Sequence, residues 1–393
     1  MIKIRLKPKR EQSVLRRHPW IFSGGIAKIE GEPADGDLVE VYSSKGEWLA
    51  IGHYQQGSIM VRIISFEPTD AGLDFWITKL RDAWEYRRQL GLVDDPQTDC
   101  FRLLHAEGDQ APGLIIDLYG KTAVLQCHSF GMYRQRHTIA EALQQVLGPA
   151  LEAIYDKSAE SLPPRATDAA ENDYLLGSAS TASEVYEHGH RFNVDWVAGQ
   201  KTGFFLDQRS NRALLARFAP GKTVLNTFAY SGGFSIYALK AGATRVVSVD
   251  VSGKAIDLAI ENAVLNGFDA PAHEGVKSDV LQYFKQSDEQ FDLVVVDPPA
   301  YAKNLKKRHN AVQGYKRLNA AAFEKVKPGG LLFTFSCSQV VDRQLFYDTI
   351  VAAAQDSGRH IRVMHLLSQP ADHPVSLYHP EGSYLKGLVL QVS

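Results

Sequence analysis

From about Val194 to the end, the chain alternates short apolar runs with longer amphipathic segments. TVLNTFAY (223–230), TRVVSVD (244–250), DLVVVD (292–297) and GGLLFTFSCS (329–338) are rich in β-branched and aromatic residues and close on turn signals. Runs of this kind read as buried strands of a parallel sheet. SIYALKAG (235–242) and KAIDLAIENAVLNG (254–267) have helical spacing and lie between strands, so the pattern predicts a doubly wound α/β sheet. IRVMHLLS (361–368) and LKGLVLQVS (385–393) close the chain as strands. The short interval between them leaves little room for a helix, which predicts an antiparallel edge.

The preceding half follows other periods. Residues 36–65 alternate apolar and polar positions in short runs, with turns at Lys45-Gly46 and Gln55-Gln56-Gly57, as in a small β-rich module. Before it, residues 3–10 predict a strand with Ile2, Ile4 and Leu6 inward and Lys3, Arg5 and Lys7 outward. Residues 75–92 and 132–148 have helical spacing, and Tyr119-Gly120-Lys121 turns a hairpin between two apolar strands. The stretch from Ser158 to Ser183 reads as loop and hairpin. Domains are therefore expected over 1–70, 71–192 and 193–393.

Composition changes this picture little. The 393 residues exceed one ordinary core, and 45% hydrophobic with 22% charged residues suits a soluble globular chain. No run is long enough to span a bilayer, and the first residues lack the apolar core of a signal peptide. Three cysteines, at 100, 127 and 337, make neither a disulfide framework nor a CxxC metal pair, which points to the cytoplasm and to no metal. The net charge of −2 confines any nucleic-acid contact to local patches.

The chemistry gathers at strand ends, where ligands of such sheets sit. NTFAYSGGF (226–234) is a Gly-containing turn between a strand and a helix, with Gly232 letting backbone approach a ligand. Asp250 ends the next strand, where a carboxylate can accept ribose hydroxyls, and Asp279 falls near the end of the third and can accept from an adenine amino group. The turn is not GxGxxG and places Phe228 and Tyr230 where a pyrophosphate binder wants bare amides. A cofactor without phosphate, S-adenosylmethionine, fits better than a dinucleotide. The plainer reading makes Asp250 and Asp279 strand or helix caps.

VVVDPPAY (294–301) presents Asp297 on a rigid Asp-Pro-Pro step, with Tyr301 available to stack on a base. Cys100 and Cys127 read as small core residues, but Cys337 stands between Ser336 and Ser338 where a strand leaves the core. An ordinary thiol, with a pKa of about 8.5, is a few per cent thiolate at neutral pH, yet thiolate is strongly nucleophilic. Thiolate addition to C6 of a pyrimidine activates C5 toward a methyl sulfonium, while an acid–base group near N3 stabilises the ring charge. Cys337 is the candidate nucleophile and Asp297 the group at the base edge.

These residues resemble the PUA-domain-containing large-subunit ribosomal RNA cytosine-5 methyltransferases, the methyltransferase I family, over nearly the whole chain. HPWIFSGGI (18–26) resembles the opening of that family's PUA module, and GQKTGFFLDQRSNR (199–212) the segment before its catalytic sheet. NTFAYSGGF, VDVS, SDV, DPPAY and SCS follow in the family's order. The resemblance implies a PUA module, a central α+β domain and a class I methyltransferase domain, Rossmann-like with a seven-stranded sheet and an antiparallel edge. It implies S-adenosylmethionine as cofactor, Cys337 as nucleophile and Asp297 as the motif carboxylate. It places Gln208 and Arg209 near the cofactor, where they suit its carboxylate, although an ordinary helix start capped by Asp207 is an equal reading.

RNA contact is expected from Lys3, Arg5, Arg16 and Arg17, and from KNLKKRH (303–309), where Lys303, Lys306, Lys307 and Arg308 follow Tyr301 directly. The expected activity is methylation of an exposed cytosine in naked or partly assembled 23S rRNA, the base being unstacked to admit both reagents. Two rivals stand beside it. One is an RNA N-methyltransferase, which uses an Asp-Pro-Pro-aromatic motif without a cysteine; the other is a PUA-type RNA-binding assembly factor. The sequence leaves open the target nucleotide, the oligomeric state (a homodimer included) and any role for His373 and His379.

Overall fold

The computed structural model describes residues 2–163, 170–178, 182–302 and 304–393. The chain forms two compact units, one of Met1–Val185, Val194–Phe204 and Ala371–Gly382, the other of Tyr186–Asn193, Phe205–Pro370 and Ser383–Ser393.

In the first unit, β1 (Ile2–Leu6) and α1 (Glu11–Leu15) precede the strands β2 (Trp20–Phe22), β3 (Ile26–Glu30), β4 (Leu38–Tyr42), β5 (Trp48–Tyr54) and β6 (Ile59–Ser65). They make one six-stranded sheet ordered β2-β6-β5-β4-β1-β3. Period-two alternation sets the register: Ile4 and Leu6 are buried with Val39, Val41, Val61 and Ile63, and Lys3 faces out. Next come α2 (Leu73–Gln89), β7 (Cys100–His105), β8 (Leu114–Tyr119), β9 (Thr122–Cys127), α3 (Phe130–Leu147), β10 (Ala153–Asp156) and β11 (Asp173–Leu176). Their five strands are ordered β11-β10-β9-β8-β7 and share a core with Trp76, Leu80, Ile139 and Leu143 from the two helices. Gly131 in α3 is required by a close approach, since a Cβ there would lie 2.1 Å from the His53 ring.

β12 (Ala182–Glu187) and β13 (His190–Asp195) pair as a two-stranded hairpin whose turn half belongs to the second unit. That unit continues with α4 (Arg209–Ala216), β14 (Thr223–Thr227), α5 (Gly233–Lys240), β15 (Arg245–Asp250), α6 (Gly253–Leu265), β16 (His273–Lys277) and α7 (Val280–Gln286). It ends with β17 (Phe291–Val296), α8 (Arg308–Glu324), β18 (Val326–Ser336), α9 (Arg343–Ser357), β19 (Ile361–Leu367) and β20 (Lys386–Val392). Helix starts are specified locally: Ser252, Asp279 and Asp342 accept from the backbone amides of Ala255, Gln282 and Leu345.

The seven strands are ordered β16-β15-β14-β17-β18-β20-β19, a Rossmann-like arrangement. The first five are parallel, and β20 is antiparallel to both β18 and β19, which is the expected edge. Strand order reverses between β14 and β17, so the crevice beyond their carboxyl ends is the topological switch point. Helix α8 sits behind it because Ala311, Tyr315, Leu318, Asn319 and Ala322 recur at helical spacing and are buried.

Candidate active site

The loops at this switch point carry the candidate residues. The turn after β14 contains two non-glycine residues in the left-handed region, Phe228 (φ 56°) and Tyr230 (φ 45°), followed by Gly232 (φ 76°). Such conformations cost of order 1 kcal/mol each and persist where neighbours impose them, commonly at functional sites. Here the Ala229 amide donates to the Val249 carbonyl at 3.2 Å and the Tyr230 amide to Asp250 Oδ2 at 3.1 Å. Asp250 Oδ1 accepts from the Ser252 amide at 2.9 Å. Each carboxylate oxygen keeps a further acceptor position, so Asp250 can still receive ribose hydroxyls. Gly232 packs on α6, where a Cβ would meet the Ala259 Cβ at 3.1 Å.

Beneath the turn runs a buried polar chain across the sheet. Asn226 Nδ2 donates to Ser235 Oγ (2.9 Å), Ser235 Oγ lies 2.7 Å from Ser248 Oγ, and Ser248 Oγ lies 2.8 Å from His273 Nε2. Burial pushes the His273 pKa down to about 4, so the ring is neutral there. Asp279 Oδ1 caps α7 by accepting from the Gln282 amide at 3.0 Å, and a carboxylate engaged through one oxygen can accept through the other as well.

Asp297 follows β17 directly and is half-buried. Gln208 Nε2 donates to Asp297 Oδ2 at 3.0 Å, and Asn211 Nδ2 orients the same amide by donating to Gln208 Oε1 at 2.6 Å. Arg209 and Arg212 share the buried Glu187 carboxylate, with Arg209 Nε 3.3 Å and Arg212 Nη2 2.8 Å from Oε2. Asp207 does not cap α4 through its side chain; its carboxylate accepts from the Tyr384 hydroxyl at 2.7 Å.

Cys337 is half-buried one residue beyond the end of β18. Its neighbour Ser338 donates Oγ–H to the Ala302 carbonyl at 2.6 Å, joining this turn to the one that carries Asp297 and Tyr301. The Tyr301 ring packs on Tyr315 of α8, with centroids 4.7 Å apart, and burial pushes its phenol pKa up to about 12. Cys100 and Cys127 are buried in strands of the first unit, as expected for core residues.

Of the basic residues, Lys306, Lys307 and Arg308 are exposed in a 3₁₀ turn and at the start of α8, while Lys303 lies outside the described residues. In the first unit Lys3, Arg16 and Arg17 are exposed and Arg5 is half-buried. Lys3 stands over the Tyr42 ring, Arg5 lies 3.5 Å from Glu30, and Arg17 stacks over Phe66. His373 and His379 are both buried in the first unit, against His105 and Trp20 respectively.

Sequence reasoning missed Glu187, Tyr384 and Lys386. Lys386 carried a signal, being a lone cation inside an apolar closing strand. Glu187 carried none, because its partners lie more than twenty residues away.

A strained turn with aromatic side chains, acids at successive strand ends and no phosphate-binding glycine pattern fits a cationic, phosphate-free cofactor. Among the described residues no helix is long and apolar enough to cross a membrane. The S-adenosylmethionine-dependent methyltransferase family matches residues 137–377, and a PUA-like domain family matches residues 4–66. Ribosomal RNA large subunit methyltransferase I of Aeromonas hydrophila is 42% identical over 389 residues, covering 97% of each chain. The protein of that name from Vibrio vulnificus is 40% identical over 390 residues, covering 98% of this chain and 97% of its own. Among solved structures, a candidate methyltransferase complexed with SAH superposes with a TM-score of 0.86 at 24% identity, covering 100% of both chains. A candidate SAM-dependent methyltransferase from Streptococcus mutans gives 0.85 at 24%, also covering 100% of both. The chain therefore belongs to the S-adenosylmethionine-dependent methyltransferase family that includes the ribosomal RNA large subunit methyltransferase I proteins.

Proposed function

We propose that the protein methylates C5 of a cytosine in 23S ribosomal RNA through a covalent bond between Cys337 and C6. The observation that carries this reading is the Ser338–Ala302 hydrogen bond, which joins the thiol-bearing turn to the Asp297 turn beside the switch point. The ribosomal substrate follows from the name shared by relatives that align along nearly the whole chain. Residues 1–70 serve as the RNA-binding PUA module, 71–192 as a central domain and 193–393 as the methyltransferase domain.

When bound, S-adenosylmethionine supplies a methyl group on a sulfonium and departs as the neutral thioether. Phe228, Tyr230 and Gly232 would shape its cradle, Asp250 would accept from its ribose hydroxyls and Asp279 from its adenine amino group. The Cys337 thiolate forms the S–C6 bond and displaces electron density onto C5, which becomes nucleophilic. Asp297, oriented by Gln208, stabilises the ring at N3 through proton sharing. After C5 takes the methyl group, the C5 proton passes to water, its electron pair re-forms the C5–C6 double bond, and the S–C6 bond breaks to return the thiolate. Tyr301, Lys306, Lys307 and Arg308 of the methyltransferase domain are RNA-contact residues, and so, separately, are Lys3, Arg5, Arg16 and Arg17 of the PUA module.

The test is methyl transfer from labelled S-adenosylmethionine to unmodified 23S rRNA, with nucleosides identified by mass spectrometry. 5-Methylcytidine is the expected product. A nitrogen-methylated base would overturn the covalent reading and return Cys337 to a packing role.

A further inference from the structure

We infer that Lys386 is a positioning residue for Cys337: its ammonium fixes the turn that carries the thiol and favours the thiolate over the thiol. This deepens, and rests on, the reading of Cys337 as the nucleophile.

Lys386 opens β20 and stands directly across from Ser336, the last residue of β18. Lys386 is 4% exposed as a residue, which is rare for lysine unless its charge is compensated. Nζ donates to the Ser338 carbonyl at 2.7 Å and to the Tyr384 carbonyl at 2.9 Å. The first bond reaches past Cys337 and holds its turn from the side opposite to the Ser338–Ala302 bond.

Two carbonyls solvate an ammonium but do not neutralise it. The charged groups facing Lys386 are Cys337, and Asp342 and Arg343 at the start of α9. Asp342 is engaged as the cap of α9 through the Leu345 amide, and Arg343 donates to the Leu367 carbonyl. Tyr315 of α8 also faces Cys337, but burial raises its pKa and keeps the phenol neutral. Burial lowers the Lys386 pKa to about 8, and a Cys337 anion opposes that shift. Reciprocity follows: whatever stabilisation the anion gives the ammonium, the ammonium gives the anion. At neutral pH, below the Lys386 pKa of about 8, the thiol proton leaves to solvent, Lys386 keeps its own protons, and the pair becomes thiolate and ammonium. Addition to C6 then consumes the thiolate without moving any other charge in the turn.

The experiment is alkylation of Cys337 by iodoacetamide in the full-length protein across pH 5.5–10, followed by peptide mass spectrometry. Buried Cys100 and Cys127 serve as internal references. In the wild type the reactivity midpoint is expected below the ordinary thiol value of about 8.5. Lys386→Met and Lys386→Gln are expected to raise it by one unit or more, slowing alkylation at pH 7 roughly tenfold, while Lys386→Arg restores most of the shift. A purely structural role would change the rate plateau and leave the midpoint in place. A wild-type midpoint at or above about 8.5, or the same midpoint in the uncharged variants, would overturn the proposal. The wild-type titration decides even if a variant fails to fold. Failure of the covalent reading shows elsewhere, as retention of C5 methylation by Cys337→Ser.

Discussion

Ser338 Oγ donates to the Ala302 carbonyl at 2.6 Å, so the residue after Cys337 is bound to the residue after Tyr301. The two turns leave adjacent parallel strands, where Val296 of β17 pairs with Thr334 of β18, yet pairing stops before either reactive group. This hydrogen bond continues the register across the gap. A buried neutral hydrogen bond contributes about 1 kcal/mol. Ser338→Ala is therefore expected to lower the single-turnover methylation rate roughly fivefold, with S-adenosylhomocysteine affinity unchanged by calorimetry. An unaltered rate would show that the strands alone hold the turns.

Glu187 carries a different load. Its carboxylate receives Arg212 through Nε (2.9 Å) and Nη2 (2.8 Å), Arg209 through Nε (3.3 Å), and the Tyr237 hydroxyl (3.0 Å). All four side chains are buried. Removing one partner from a buried ionic cluster leaves uncompensated charge and costs about 3–5 kcal/mol. Glu187→Gln should lower the stability of the second unit by that order in urea unfolding. A loss within 0.5 kcal/mol would mean that water already solvates the two guanidiniums.

The placement of the candidate residues at the switch point was legible because each element there obeys a local rule. β14, β15 and β17 are apolar runs closed by polar turns, and their carboxyl ends carry Phe228, Asp250 and Asp297 as the sequence predicts. The antiparallel edge was legible too, since the interval between β19 and β20 holds a single 3₁₀ turn (Pro380–Gly382) and no α-helix to carry a parallel crossover. Partnership was not legible. Gln208 meets Asp297 from 89 positions away, and Lys386 reaches Ser338 across 48. Arg209 suits a cofactor carboxylate by chemistry alone, yet the fold brings it to a protein carboxylate on a hairpin that sequence periodicity did not mark. Tyr301 likewise reads as a stacking platform, and packing sets it against Tyr315. Residue type and spacing specify what a side chain can do; tertiary contacts select which of those things it does.

Lys306, Lys307 and Arg308 are exposed on the short helical turn beyond the Asp297 loop. If they hold RNA phosphates, replacing all three with alanine should weaken binding and flatten its salt dependence by about 2 in the log–log slope. Methyl transfer should fall through a higher KM, with kcat largely retained. Lys3 and Arg5 already contact Tyr42 and Glu30, so their replacement should reduce the slope by less. A triple variant with the wild-type slope would remove this surface from the RNA path.

Acid should weaken the fold through buried imidazoles, His273 and His53 among them. Burial pushes both His273 in the second unit and His53 in the first down to about 4. An unfolded histidine titrates near 6.5, so between about 4 and 6.5 the unfolded chain binds protons that the native state refuses. The contribution of these groups is complete above about 6.5, is lost as pH falls, and levels off below about 4. Each group can shift stability by roughly 1–3 kcal/mol over that span. The urea midpoint should therefore drop between pH 7 and pH 5. His273→Gln, which keeps a polar partner for Ser248 and removes the titration, should reduce the drop for the second unit. Equal midpoints at the two pH values would mean that His273 and His53 admit protons in the native state.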